Sequence, residues 1–471
     1  MVKVSTLTYN ELFERHTNIS VPEYQRPYRW SREKLEELLI DLEEFFIKKH
    51  NPKLEYYMGS LLFFNNDKED ALEIIDGQQR LTSLTLLYYV IEGSLSPSQN
   101  LLYNSHISFY HIKKNIAFLQ QKRDLLLKLK ERCFFDKVRF TFIVTGSEDN
   151  AFAFFDSQNS RGVTLGADDY LKAYHLRSVF SESLQETLAQ EWEAAALTSQ
   201  AENKAEFGLL HLFYKILYRA REWKGQTLLI SEEQDTILKA FQKKTLESAE
   251  ANSYELYPSR ANIKYRALVL HDDDSLGFLP YQDEPATLRD FPFSVRQPLY
   301  KGHNFFRFTQ KYHAIHKLLF SNSVYSSSSL AEMKGYYDFV YTDNMSQYLR
   351  HYMQVCLVMY FDAFGEKQIN TAIQYFDYLI GSIRIQKYYV KKEAVKNSLM
   401  SGSSNLLDVI ANSYLPQEIF EFIAEQQTPQ EIYDAEKLVE DKGVRDNYKK
   451  RVIAMYGKDA KTLKGRLSWI R

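Results

Sequence analysis

Between residues 72 and 91 the spacing of apolar positions changes period within a few residues. Leu72, Ile74 and Ile75 make a short strand-forming run. From Leu81 the positions Leu84, Leu87, Tyr88 and Ile91 recur at helical intervals, and Gly93 is placed to end the helix. The intervening DGQQR (76–80) is therefore a strand-to-helix turn. Its side chains and unpaired N–H groups project past the carboxyl end of a strand, where α/β sheets place ligands and a helix N-terminus favours an anion.

The same reading predicts strands at MGSLLFFNN (58–66) and KVRFTFIV (137–144), with 58–66 and 72–76 joined as a hairpin. SREKLEELLIDLEEFF carries Leu35, Leu38, Leu39, Leu42, Phe45 and Phe46 on one helical face, with Ser31 as its N-cap. DNAFAFFDSQ and ADDYLKAYHLRSVF read as helices around the loop NSRGVTLG. After about residue 180 β-alternation fades. SLQETLAQEWEAAAL and LHLFYKILYRAREW predict helices, the serine-rich stretches at 323–332 and 398–407 read as loops, and 270–285 reads as an exposed loop or small insertion. The predicted fold class is α+β: an α/β domain over 1–180, then a mainly α-helical region over 181–471.

At 471 residues the chain has length enough for two cores. A net charge of −2 provides no global attraction for nucleic acid but permits a local patch. Cys133 and Cys356 are the only cysteines, which excludes a disulfide framework and a cysteine-based zinc module and predicts a reducing, cytoplasmic setting. The N-terminus lacks a signal-peptide pattern, and LTLLYYVI is too short to span a bilayer, so no membrane partner is expected. The last stretch, from Lys442, is strongly basic. It suits either DNA phosphates or a solvated helical face.

Three polar clusters interrupt the apolar frame. VPEYQRPYRW (21–30) stiffens a loop with Pro22 and Pro27 and presents Gln25, Arg26, Tyr28, Arg29 and Trp30, a set able to hold a phosphate and stack on a base. In DGQQR, Gly77 lets backbone approach an anion, Arg80 can clamp a phosphate, and Asp76 can hold a metal ion or polarise water. The third cluster, FFDSQNSRGVTLGADDYLKAY (154–174), contains Asn159, Arg161 and Gly162 in a loop, then Asp169 and Lys172 on one helical face. Taken singly, each cluster also fits a plain surface loop, a capped helix or a solvated ion pair. Together they suggest a phosphate pocket, although neither GxxxxGK[ST] nor GxGxxG is present.

The order of QRPYRW (25–30), YYMGS (56–60), IDGQQRL (75–81) and FDSQNSRGVTLGADDYLK (155–172) resembles the N-terminal domain of GmrSD-type modification-dependent restriction enzymes. That family's domain is similar in fold to the ParB nucleotide-binding domain and to sulfiredoxin. The resemblance implies a nucleoside triphosphate and Mg²⁺ as cofactors and foreign or modified DNA as the target. Carried over by residue, Asp76, Gln79 and Arg80 become catalytic, with Asp76 also the metal ligand. Gln25, Arg26, Tyr28, Trp30, Gly59, Ser60, Gly77, Gln78, Asn159, Arg161, Gly162, Asp169 and Lys172 become nucleotide-binding.

Complete members add or pair with an HNH nuclease, and no such arrangement is legible here. His303 with Asn304, and His313 with His316, lie in an aromatic helical pattern, and His271 precedes an acidic run. The leading expectation is an NTP-hydrolysing subunit of a prokaryotic anti-phage defence system with its nuclease on a separate chain, and with room for a homo-oligomer. Two alternatives stay open: a nuclease whose active site lies in the N-terminal domain, and a nucleotide-gated DNA sensor without turnover.

Overall fold

The strand-forming run at the N-terminus, VKVSTLT, makes β1 (Val2–Thr8), and Thr8 then caps α1 (Tyr9–Arg15) by accepting from the Glu11 amide. In the computed structural model, residues 2–48, 55–66, 70–147, 166–179, 181–201, 207–226, 231–247, 257–263, 268–270, 276–278, 288–321, 327–342, 345–400, 404–435 and 443–470 are described. They divide into two compact units, Met1–Glu193 and Ala194–Arg471. The first is α/β and the second mostly helical, as the α+β reading expected.

In the first unit β2 (Ile19–Ser20), β3 (Tyr56–Asn66), β4 (Ala71–Asp76) and β5 (Val138–Thr145) join β1 in one mixed sheet of order β1-β5-β3-β4-β2. The predicted hairpin forms, since β3 and β4 pair antiparallel, while β3 runs parallel to β5. The β3 register shifts between Tyr57 and Ser60 against β5, and again between Leu62 and Phe63 against β4. These irregularities bend the strand beside the DGQQR turn.

The helices of this unit are α2 (Arg32–Glu43), α3 (Gln78–Glu92), α4 (His106–Gln121), α5 (Arg123–Glu131), α6 (Ala167–Leu176) and the first part, to Glu193, of α7 (Glu182–Ala201). Ser31 stands at the N-cap of α2 without a capping bond from its side chain. Leu61, Phe63, Ile74, Phe140 and Phe142 from the sheet and Leu35, Leu39, Leu84, Leu87 and Phe118 from the helices share one core.

α3 is buried on more sides than its apolar stripe predicts. Thr82, Ser83 and Thr85 lie inside the core and return their hydroxyls to the carbonyls of Gln78, Gln79 and Leu81. Each also meets a tyrosine: Thr82 meets Tyr103, Ser83 meets Tyr28, and Thr85 meets Tyr9. Burying a hydroxyl without a partner costs about 1–3 kcal/mol, so these pairings let a polar helix start sit inside an apolar core.

The second unit is built on α8 (His303–Phe320), α9 (Ser328–Tyr341), α10 (Gln347–Phe364), α11 (Ile369–Gln386), α12 (Gln427–Asp434) and α13 (Gly443–Met455), together with further helices of nine residues or fewer. Residues 328–332, read as loop from their serines, begin α9. Leu276–Phe278, within the 270–285 segment read as a loop or insertion, pairs with Leu268–Leu270 at its start as a small ribbon. The α11 core is polar at one point. Asp377 is fully buried, accepts from the hydroxyls of Tyr336, Tyr341 and Tyr448, and pairs with fully buried Arg466. Gly381 gives the space for this cluster, because a Cβ there would collide with the Tyr448 hydroxyl.

Candidate functional site

Asp76 ends β4 and Gln78 begins α3, so Gly77 must reverse the chain direction in one residue. It does so at φ 91°, the left-handed region that L side chains rarely adopt. A Cβ on Gly77 would collide with the Leu61 side chain and press on the Ser60 carbonyl. Gly59, at φ 101°, is equally constrained, because a Cβ there would enter the Arg80 guanidinium.

Arg80 explains the pairing of these glycines. Its Nη1 donates to the Met58 carbonyl at 2.9 Å, and its Nη2 donates to the Ser60 carbonyl at 2.8 Å and to Asp76 Oδ2 at 3.3 Å. The guanidinium therefore clamps the irregular part of β3 to the turn that follows β4. Gln79 makes a second clamp. Its Nε2 donates to the Pro27 carbonyl at 3.0 Å and its Oε1 accepts from the Arg29 amide at 2.9 Å. The QRPYRW loop is thereby fixed against the start of α3, and Gln25 Nε2 adds a bond to the Ile75 carbonyl at 2.9 Å.

The loop's aromatic residues serve the core. Tyr28 is fully enclosed, with its hydroxyl bonded to Ser83 and Asn115, and burial pushes its pKa up to about 12. Its ring has no face to offer a base. Trp30 packs partly buried against the same core, and its carbonyl accepts from Asn115.

The charged groups gather beside the turn. Burial lowers the Arg26 pKa and Arg29 adds to this, while Asp169 and Asp76 oppose it, so both carboxylates act on one guanidinium. Asp169 Oδ2 accepts from the Gly166 amide at 3.2 Å and so caps α6. Lys172 is buried and pairs not with Asp169, its neighbour by spacing, but with Glu193 at 2.9 Å, and it reaches the Gln25 carbonyl at 3.4 Å. Asp168, passed over by sequence reading in favour of Asp169, has its pKa raised to about 6 by burial and by Asp169, with Arg29 opposing. The doubled acid of ADDY was the available signal.

Gln25, Arg26, Pro27, Gln78, Tyr103 and Glu193 line a narrow cleft at this point. Two buried N–H donors in the cluster, Gln78 Nε2 and Arg29 Nε, have no hydrogen-bond partner among the described residues. Such donors also occur elsewhere among the described residues, Gln297 Nε2 and Arg466 Nε included; these two lie beside a helix start, where the oxygen atoms of an anion would pair them. Asp76 remains about a quarter exposed, with one oxygen on Arg80. Among the described residues no group of three or more His, Cys, Asp or Glu is placed to hold a metal ion. A single open carboxylate fits Mg²⁺ arriving with phosphates, which commonly binds through one or two carboxylates and water. Asn159, Arg161 and Gly162 lie outside the described residues.

Several of the other candidates are engaged within the fold. His313 meets the Phe207 carbonyl, and His316 lies buried within α8. In the basic C-terminal stretch, Lys449 and Lys450 pair with Asp446, Arg451 donates to the Phe339 carbonyl, and Arg466 is buried on Asp377. His271 and Lys442 lie outside the described residues.

Residues 9–176 match the model of the GmrSD restriction endonuclease N-terminal domain, and residues 184–440 match a family of unknown function (DUF7834). No curated protein matches the chain. No described helix is long and apolar enough to cross a membrane.

Proposed function

The chain belongs, over more than half its length, to that family of unknown function and carries the N-terminal domain of GmrSD restriction endonucleases; on that premise we propose a restriction-type defence component acting on foreign or modified DNA. In this reading it binds and hydrolyses a nucleoside triphosphate at the DGQQR turn, and its nuclease resides on a separate chain. The observation that carries the reading is the set of orphaned donors, Gln78 Nε2 and Arg29 Nε, at the start of a helix beside Arg26. Backbone N–H groups and guanidinium there favour the β- and γ-phosphates.

In hydrolysis, water bonds to the γ-phosphorus as the bond to the β-phosphate oxygen breaks, giving nucleoside diphosphate, inorganic phosphate and a proton. Asp76 is the carboxylate with room to orient the water or to hold Mg²⁺, which would offset charge on the phosphates. Arg26 and the α3 N-terminus stabilise the developing charge. Gln79 and Arg80 act as positioning residues: Gln79 holds the Arg-bearing loop, and Arg80 holds Asp76 and the β3 carbonyls.

The test is phosphate release from each of the four ribonucleoside triphosphates with Mg²⁺, comparing the parent with Asp76→Ala and Arg26→Ala. Turnover lost in both variants supports the reading. Tight nucleotide binding without turnover moves the assignment to a nucleotide-gated sensor, which the full engagement of Gln79 in structural bonds would suit. DNA cleavage with no nucleotide present moves it to a nuclease in this unit.

A further inference from the structure

α4 carries no carboxylate over its whole length, HISFYHIKKNIAFLQQ, in a chain whose net charge is negative. Its inner face, with Ile107, Asn115, Phe118 and Leu119, is buried in the first unit. The outward face turns Phe109 and Tyr110 to solvent, 56% and 58% exposed, followed one turn later by exposed Lys113 and Lys114. Two adjacent aromatic rings left that open on a well-packed helix serve no core. Lys114 Nζ lies 5.1 Å from the Tyr110 ring centroid, so cation and ring present a joint surface.

The patch continues onto the site loop. The Tyr28 amide donates to Ser108 Oγ at 3.0 Å and Asn115 Nδ2 donates to the Trp30 carbonyl at 2.8 Å, so α4 is tied to the loop on both sides of Arg29. Arg32, at the start of α2, lies over the Phe118 ring at 4.8 Å on the adjoining side. Two acids lie on this edge: Glu33, on which Arg32 and Lys114 both act, and Glu36, paired with Lys122 beside the Phe118 ring. Cations therefore outnumber acids around a pair of open aromatic rings, the composition that tracks a phosphate backbone while unstacked bases rest on side-chain rings.

We propose that the outward face of α4, with Phe109, Tyr110, Lys113 and Lys114, binds a single-stranded segment of nucleic acid and leads it past Arg29 toward the DGQQR turn. The inference rests on DNA being the target of this chain, and is independent of nucleotide turnover.

The test uses the full chain, a fluorescein-labelled oligothymidylate and a mixed-sequence duplex, with anisotropy read over a range of salt. The parent binds the single strand. Lys113→Ala with Lys114→Ala reduces the slope of log affinity against log salt by about 1.4, the value for two phosphate contacts on a single strand. Phe109→Ala with Tyr110→Ala weakens binding roughly tenfold or more and leaves the slope unchanged. Both double variants melt with the parent and release phosphate from nucleotide at its rate. Variants that bind as the parent does overturn the surface while leaving DNA as the target. A parent that binds neither probe overturns the DNA reading and the surface with it. Binding to the duplex alone, insensitive to Phe109 and Tyr110, overturns the single-strand assignment.

Discussion

Each unit of the molecule holds an aspartate–arginine pair, and the two differ in almost every respect that matters. Asp377 and Arg466 are fully buried, and three tyrosine hydroxyls complete the acceptor capacity of the carboxylate. Asp76 and Arg80 are each about a quarter exposed at 3.3 Å, with the guanidinium tied mainly to backbone carbonyls. The first arrangement leaves no atom of the carboxylate for a ligand. The second leaves an aspartate oxygen open beside a helix start. A carboxylate buried with every acceptor position filled makes a structural pair, and an aspartate oxygen left open beside a helix start is the pattern on which the proposed site rests.

The largest effect expected from this contrast is on stability. Arg466→Ala strands a carboxylate among tyrosines inside α11's core and should cost about 3–5 kcal/mol. Denaturant unfolding of the second unit measures it. Asp377→Ala, which leaves the guanidinium buried, should fall in the same range. A loss under 1 kcal/mol for either would mean that water reaches the cluster, and the distinction between the two pairs would fail.

Asp76→Ala should behave in the opposite way. Its pair with Arg80 is partly solvated, so the stability change should stay within about 1 kcal/mol. Turnover, in the proposed hydrolysis, should drop by roughly 10²–10³. The comparison sharpens further at Gly59→Ala. The methyl group must displace the Arg80 guanidinium while adopting φ 101°, a strain of about 1–3 kcal/mol. Here stability and turnover should fall together, because the clamp and the site share one side chain. Gly59→Ala protein with parent-like melting and phosphate release would show that Arg80 does not hold the turn.

These contrasts also mark how far the sequence could be read. The strand-to-helix switch around DGQQR was legible because period 2 and period 3.6 meet there, and Gly93 ends the helix as its position suggested; Gly77, read only as room for an anion, also takes the left-handed region. The hairpin followed from the polar turn between two apolar runs. Arg80's partners were not legible, since Met58 and Ser60 lie 22 and 20 positions away, across a bulge that local pattern does not announce. Lys172 misled for the same reason. Its i,i+3 neighbour Asp169 is turned to the Gly166 amide, and its true partner is Glu193 on the next helix. Tyr28 carried ligand chemistry by type and structural chemistry by burial. The pair Asp377–Arg466 spans 89 positions and left no local trace.

Asp168 offers a smaller, pH-dependent effect. Its folded pKa is about 6 against an ordinary 3.8, so the native state holds the proton more tightly than the unfolded chain. The stabilisation is full below about pH 4 and is lost as pH rises through about 6. Asp168→Asn cannot ionise, so its stability should change less than the parent's across that window. Parallel curves for the two proteins would show that Asp168 titrates normally and that Asp169 and burial do not confine it.

The smallest effect should come from Lys450→Ala. By charge alone the C-terminal stretch suited either phosphates or a solvated helical face, and Asp446 takes both Lys449 at 3.3 Å and Lys450 at 2.6 Å. Lys449 is nearly buried and holds the aspartate from inside, whereas Lys450 is 64% exposed. Removing Lys450 leaves Asp446 its inner partner, so stability should change by no more than about 0.5 kcal/mol. DNA affinity and its salt slope should also stay at the parent's values, in contrast to the α4 lysines. A reduced salt slope in Lys450→Ala would place phosphates on α13. It would then be the exposed member of a basic pair, rather than the aromatic-flanked lysines of the first unit, that marks where this chain meets nucleic acid.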